Sequence, residues 1–139
     1  EPMILKNVIE VNNSMPQFMA NKIVKIANKS DKIGILGLSF KPGSDDVRDS
    51  SSAKIIKILI EQGYNNLAAY DPVANDIFNK VYKFNEVFYY NNLKDLCEKS
   101  DVIVLITAWD DFNDIDKKYK NKKIVDCRYC LEGNNKCNP

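Results

Sequence analysis

The sequence predicts an α/β fold: a Rossmann-like, doubly wound parallel sheet of about five strands with an N-terminal helical lead-in. Three observations carry that expectation. From residue 31 onward, short apolar runs alternate with segments of helical periodicity. The links between them are short, and strands separated by helices in this way form parallel sheets with right-handed crossovers. The first run, Lys32-Ile33-Gly34-Ile35-Leu36-Gly37-Leu38, is apolar throughout and bounded by charge, as a strand covered on both faces must be.

The elements follow in order. Ile4, Leu5, Val8, Ile9 and Val11 recur at near-helical spacing until Asn12-Asn13-Ser14 breaks the pattern. Ser14 then offers a cap to a second helix, with Pro16 in its first turn and Phe18, Met19, Ile23, Val24 and Ile26 following. A boundary is expected near residue 30, where this lead-in meets the first strand. Ser50-Ser51-Ser52 offers N-caps to a helix whose stripe is Ala53, Ile56, Leu59 and Ile60, and Gly63 stands where a helix-ending glycine belongs. Leu67 to Tyr70 reads as a strand ending at Asp71-Pro72, and Val73 to Lys80 as a short helix. Val87 to Tyr90 is expected as the third strand, with Leu93 to Lys99 a helix behind it. Asp101 to Thr107 is the clearest strand. Phe112 to Tyr119 should be helical and Lys123 to Asp126 the last strand. The tail from Glu132 to Pro139, with a glycine and three asparagines, is expected to fray.

Composition narrows the function. At 139 residues the chain can bury one domain's core. A net charge of +1 gives no field for nucleic acid. The absence of histidine leaves acid–base chemistry to Asp, Glu, Lys, Tyr or Cys. No run reaches membrane-span length and no signal-peptide pattern opens the chain, so a cytoplasmic protein is expected. Cys127 and Cys130 form a CxxC, but no second pair and no histidine completes a zinc set. With Cys97 and Cys137 they read as buried or incidental thiols, and no metal is expected.

The chemistry concentrates in Gly37 to Ser52. In a doubly wound sheet ligands bind beyond the carboxyl ends of the strands, and this stretch leaves the first strand there and runs into a helix. A helix N-terminus favours anions; Lys41 and Arg48 add formal charge, tempered by Asp45, Asp46 and Asp49. The third glycine of a dinucleotide turn is missing, so a phosphate met by side chains fits better than a pyrophosphate lying on bare backbone. The alternative is a capped, salt-bridged loop. Asp71 reads either as a ribose-binding acid or as the start of an Asp-Pro turn. Trp109 suits an aromatic anchor between helix and sheet, and the lysines from Lys117 to Lys123 a solvated face. Arg128, two residues past the last strand, stands on the same edge as Lys41.

These pieces resemble, in order, the C-terminal domain of the UDP-glucose/GDP-mannose dehydrogenase family. They are Gly37-Leu-Ser-Phe-Lys-Pro-Gly-Ser-Asp-Asp-Val-Arg-Asp-Ser50, then Tyr70-Asp71-Pro72, Thr107-Ala-Trp-Asp-Asp-Phe112 and Val125-Asp-Cys-Arg128. The first is similar to G-L-x-F-K-x-x-T-x-D-x-R-x-S, with Ser44 for the usual threonine. Val8-Ile9-Glu10-Val11-Asn12 is similar to the end of the family's linking segment. The resemblance implies that residues 1–30 end a central helical or linker segment and that residues 31–139 form a C-terminal nucleotide-sugar (UDP)-binding domain. It implies substrate contacts from Phe40, Lys41 and Arg128, and a contact from Arg48 to NAD held mainly by a separate N-terminal domain.

The family oxidises a sugar C6 alcohol to a carboxylate in two NAD-dependent steps, through a cysteine in a G-x-C-x-P-K-D-like motif that this sequence lacks. The chain is therefore expected to be an inactive piece of a homodimeric oxidoreductase, itself monomeric, binding a UDP-sugar and neither nucleic acid nor membrane. UDP-glucose 6-dehydrogenase is the expected branch. UDP-N-acetylmannosamine and GDP-mannose dehydrogenases, and a stand-alone nucleotide-binding regulatory module, are the alternatives.

Overall fold

A computed structural model of the chain describes residues 3–127 and 136–137, with side chains over 15–127. Its elements are α1 (Met3–Ile26), β1 (Ile33–Leu36), α2 (Ser51–Glu61), β2 (Leu67–Tyr70), α3 (Asn75–Tyr82), β3 (Val87–Tyr89), α4 (Leu93–Lys99), β4 (Val102–Leu105), a 3-10 turn (Asp110–Phe112), α5 (Ile115–Lys118), β5 (Lys123–Asp126) and β6 (Lys136–Cys137). The strands lie in the order β3-β2-β1-β4-β5-β6, and every neighbouring pair is parallel. The chain winds outward from β1 to β3, returns, and lays β4 on the other side of β1. That reversal makes a crevice at the carboxyl ends of β1 and β4.

Strand periodicity divides the core into two layers. Ile33 and Ile35 of β1, Leu67 and Ala69 of β2, and Val102 and Val104 of β4 pack with Met19, Ala20 and Ile23 of α1, Ala53, Ile56 and Leu59 of α2, and Phe78 of α3. On the opposite face Leu36, Ala68, Ile103, Leu105 and Ile124 meet Leu96 and Cys97 of α4, Phe112 and Ile115. The α/β parallel sheet expected from the sequence is present. β1 is buried at all four residues, which explains its unbroken apolar character. α2 starts and stops as its sequence dictates. The Ser50 side chain accepts from the Ala53 N–H. Gly63 at φ 92° lets its own N–H reach the Ile60 carbonyl and Tyr64 N–H the Leu59 carbonyl, a Schellman ending.

Four expectations are corrected. The lead-in is one helix, not two, with Pro16 inside it. Proline withholds one helical N–H, yet Met19, Ala20 and Ile23 are buried against α2 and the sheet, and that packing outweighs the local break signal. α3 starts at Asn75 rather than Val73 because the Asp71 carboxylate takes the N–H groups of Val73 and Ala74, each at 2.9 Å. The helix expected over 112–119 is a 3-10 turn and one turn of α5. Asp110, Asp111, Asn113 and Asp114 all have low helix propensity. Lys136–Cys137, within the tail expected to fray, forms a short sixth strand on β5, using an edge that would otherwise leave its backbone groups unpaired.

Candidate functional site

The loop leaving β1 is built around Gly37. Its φ is 95°, a region that favours glycine, and a Cβ there would lie 2.5 Å from the Thr107 nitrogen and 2.8 Å from its Cα. Only a glycine lets the ends of β1 and β4 come this close. At the next two residues Asp71 reaches across from the end of β2. One carboxylate oxygen accepts from the N–H of Leu38 at 2.8 Å and of Ser39 at 3.2 Å; the other takes Val73 and Ala74. Asp71 is 2% exposed, and with both oxygens committed to backbone it is a fastener between two loops rather than a ribose ligand. A buried carboxylate is tolerated because these donors replace its water.

Serines and a threonine complete the frame. Thr107 Oγ1 donates to the Ser39 carbonyl at 2.8 Å, Ser39 Oγ to the Lys41 carbonyl at 2.9 Å and Ser50 Oγ to the Leu38 carbonyl at 3.0 Å. Ser52 Oγ donates to the Gly37 carbonyl. Val47 is buried in the core and its carbonyl accepts from Tyr82 Oη at 2.6 Å. This arrangement does not fit a dinucleotide turn. The N–H groups of Leu38 and Ser39, which would face a pyrophosphate, are spent on Asp71.

What remains open is a cavity of about 340 Å³ at the crevice. Met15, Pro16 and Met19 of α1, Ile55 and Ile106 supply apolar lining; Ser39, Lys41, Ser51 and Thr107 supply polar groups, beside Phe40 and Cys127. Phe40 is 57% exposed. α2 points its first turn here, and the N–H groups of its first residues have no partner within the helix. Lys41 is exposed, and among the described residues its ammonium has no ion pair.

Of the residues expected to bind, Phe40 and Lys41 line this cavity. Arg48 stands away from it, gripped by Asp46: Nε donates to Oδ1 at 3.0 Å and Nη2 to Oδ2 at 2.8 Å. The guanidinium holds the exposed Asp46 carboxyl down at about 2. Asp49 instead pairs with Lys54 at 2.6 Å. Arg128 lies outside the described residues, as does Cys130. Burial pushes the Cys97 thiol up to about 12, in keeping with an inert core cysteine. Trp109 packs partly buried on the second layer, and its indole N–H has no hydrogen-bond partner among the described residues. No group of metal-ligating side chains occurs among the described residues, and no described helix is long and apolar enough to cross a membrane.

Sequence reasoning missed the Met15, Pro16 and Met19 side of the cavity. Positions 15, 16 and 19 share a helical face, but nothing in the local sequence marks that face as turned toward the loop after β1.

Comparison with known proteins gives the same answer from another direction. The UDP-glucose 6-dehydrogenase of Rickettsia bellii is 34% identical over 137 residues, covering 93% of this chain and 31% of the relative. A UDP-glucose dehydrogenase structure from Pyrobaculum islandicum superposes with a TM-score of 0.80 at 28% identity, over 95% of this chain and 32% of that one. A ternary complex of GDP-mannose dehydrogenase from Pseudomonas aeruginosa gives a TM-score of 0.78 at 27% identity, over 99% of this chain and 34% of that one. The chain thus spans about a third of the length of the relatives it matches. Residues 34–133 match the profile described as the UDP-glucose/GDP-mannose dehydrogenase family, UDP binding domain, and with Phe40 and Lys41 at the crevice of a doubly wound sheet the chain belongs to that family.

Proposed function

We propose that this chain is the nucleotide-sugar-binding part of an NAD-dependent UDP-glucose 6-dehydrogenase, with residues 31–139 as the binding unit and residues 1–30 as the end of a connecting helical segment. One observation carries the reading: the cavity at the β1–β4 crevice brings an exposed lysine, an exposed phenylalanine and the first turn of an eleven-residue helix to one place. Lys41 and the N-terminus of α2 suit a diphosphate, and Phe40 suits a ring. Arg128 is proposed as a second substrate cation on the same edge. Arg48 is proposed to meet NAD presented by another domain, since its exposed guanidinium is not among the groups lining the cavity and the β1 turn offers a dinucleotide no cradle of its own. Hydride chemistry belongs to the nicotinamide cofactor. No catalytic nucleophile is assigned to this chain.

UDP-glucose is favoured over GDP-mannose by Tyr70-Asp71-Pro72 and Thr107-Ala-Trp109, which resemble the UDP-glucose branch more closely, and UDP-N-acetylmannosamine is the alternative sugar nucleotide. Calorimetric titration with UDP, UDP-glucose, GDP-mannose and NAD tests this. UDP and UDP-glucose should bind and NAD should not. A preference for GDP-mannose would move the chain to the other branch, and NAD binding to this chain alone would overturn the division of labour.

A further inference from the structure

α3 is committed to the core on one side only. Phe78 is buried, and its ring lies 4.8 Å from Tyr82 and 6.4 Å from Tyr89. Tyr82 leans toward the loop after β1, where its hydroxyl donates to the Val47 carbonyl. At about 100° per residue, Ile77 and Val81 fall on the opposite flank of the helix from Tyr82. Val73, in the turn entering α3 and held there by its N–H on Asp71 at 2.9 Å, continues the same row. Val73, Ile77 and Val81 are 54%, 40% and 56% exposed, so the described fold leaves this row open. Phe88 is exposed as well, but it registers with Ala68 on the other face of the sheet and does not join the row.

Two properties of the row name its partner. Val-Ile-Val at a spacing of four reads the same in both directions, so a copy turned end for end presents the same ridge. Ridges with that spacing are the ones that most often interdigitate between packed helices. The charges beside the row are not symmetric: Asp76 lies in the first turn of α3 and Lys80 in the last. Among the described residues neither makes an ion pair. Reversing one copy sets each Asp76 toward the Lys80 of the other.

We propose that this flank of α3 is a self-association surface: two copies of the chain meet about a two-fold axis near Ile77, α3 against α3 and antiparallel. A two-fold contact needs a self-complementary patch, and this one is apolar along its centre and opposite in charge at its ends. None of its residues lines the cavity at the β1–β4 crevice, so the proposal stands apart from the nucleotide reading. Three half-exposed side chains cover far less than the roughly 800 Å² that each partner gives to a standard interface. The pairing is therefore weak and concentration-dependent.

Sedimentation velocity on the unaltered chain, from about 10 μM to about 1 mM, should show monomer passing to dimer, with or without UDP. Ile77→Glu, at a position the core does not use, sets two carboxylates face to face at the axis and should raise the dissociation constant at least about tenfold. Asp76→Lys and Lys80→Asp should each weaken the dimer, and the two together should restore it, with melting temperatures checking that every variant is folded. A chain that stays monomeric over the whole range would overturn the proposal and leave the row to a different partner. A dimer indifferent to Ile77→Glu would overturn it as well, placing self-association elsewhere on the chain. Two charge reversals that fail to restore each other would overturn the antiparallel arrangement.

Discussion

The loop from Gly37 to Ser50 has two halves that obey different rules. The inner half, Gly37, Leu38, Ser39, Val47 and Ser50, is buried, and its polar groups bond to Asp71, Thr107, Ser52 and Tyr82. The outer half, Phe40 to Asp46 with Arg48 and Asp49, is mostly exposed, and its few bonds run between near neighbours in sequence. The difference teaches how a small domain presents charge. A side chain that must meet an anion gains from a backbone that does not move, and the buried half supplies that immobility without touching the ligand. Changes to the inner half should therefore appear as stability, and changes to the outer half as affinity.

Gly37→Ala should give the largest effect. It forces a non-glycine into positive φ and drives a Cβ into the Thr107 backbone, together about 3–5 kcal/mol, measured as a drop in urea midpoint. A loss under about 1 kcal/mol would mean that the β1–β4 approach is softer than described. Asp71→Ala comes next. It strands buried N–H groups on two loops and should cost roughly 3 kcal/mol, with partial recovery in Asp71→Asn, whose amide oxygen can still accept. An unchanged midpoint would show that the staple is dispensable.

Lys41→Ala should leave the melting temperature unchanged and weaken UDP by roughly 10- to 100-fold, the worth of one charge-assisted hydrogen bond. If it lost stability instead, the division between the two halves would be wrong at its most important residue. Arg48→Ala should give the smallest effect. Asp46 has its carboxyl depressed to about 2 from the ordinary 3.8, so the contribution of the pair is present above that ordinary value and fades as pH falls toward 2. Carbon-detected titration of the Asp46 carboxyl should place its midpoint near the lower value and move it up in Arg48→Ala. An unmoved midpoint would remove the guanidinium as the cause.

Much of this was readable in advance, and the exceptions share a cause. β1, β2, β4, β5 and α4 announce themselves through contiguous apolar residues and local caps, signals that need no partner. Phe40 and Lys41 could be singled out by their place in a motif. Asp71 could not be separated from an ordinary Asp-Pro turn, because two of its donors lie more than thirty residues earlier in the chain. Pro16 looked like a helix start because its compensation comes from burial of Met19, Ala20 and Ile23, which the local sequence does not encode. Ser52 was read as a possible cap, whereas its hydroxyl ties α2 to the carbonyl of Gly37. Features made by one stretch were legible; features made by two distant stretches were not.

The course of α1 has a mechanical consequence. Its later turns are embedded in the first layer of the core, and Met15, Pro16 and Met19 belong at once to that rigid helix and to the cavity. The position of Met15, Pro16 and Met19 relative to Lys41 is therefore set by the packing of α1 as a whole. The two walls of the cavity are thus fixed to one another through the core, and its width follows from how α1 packs on α2 and the sheet.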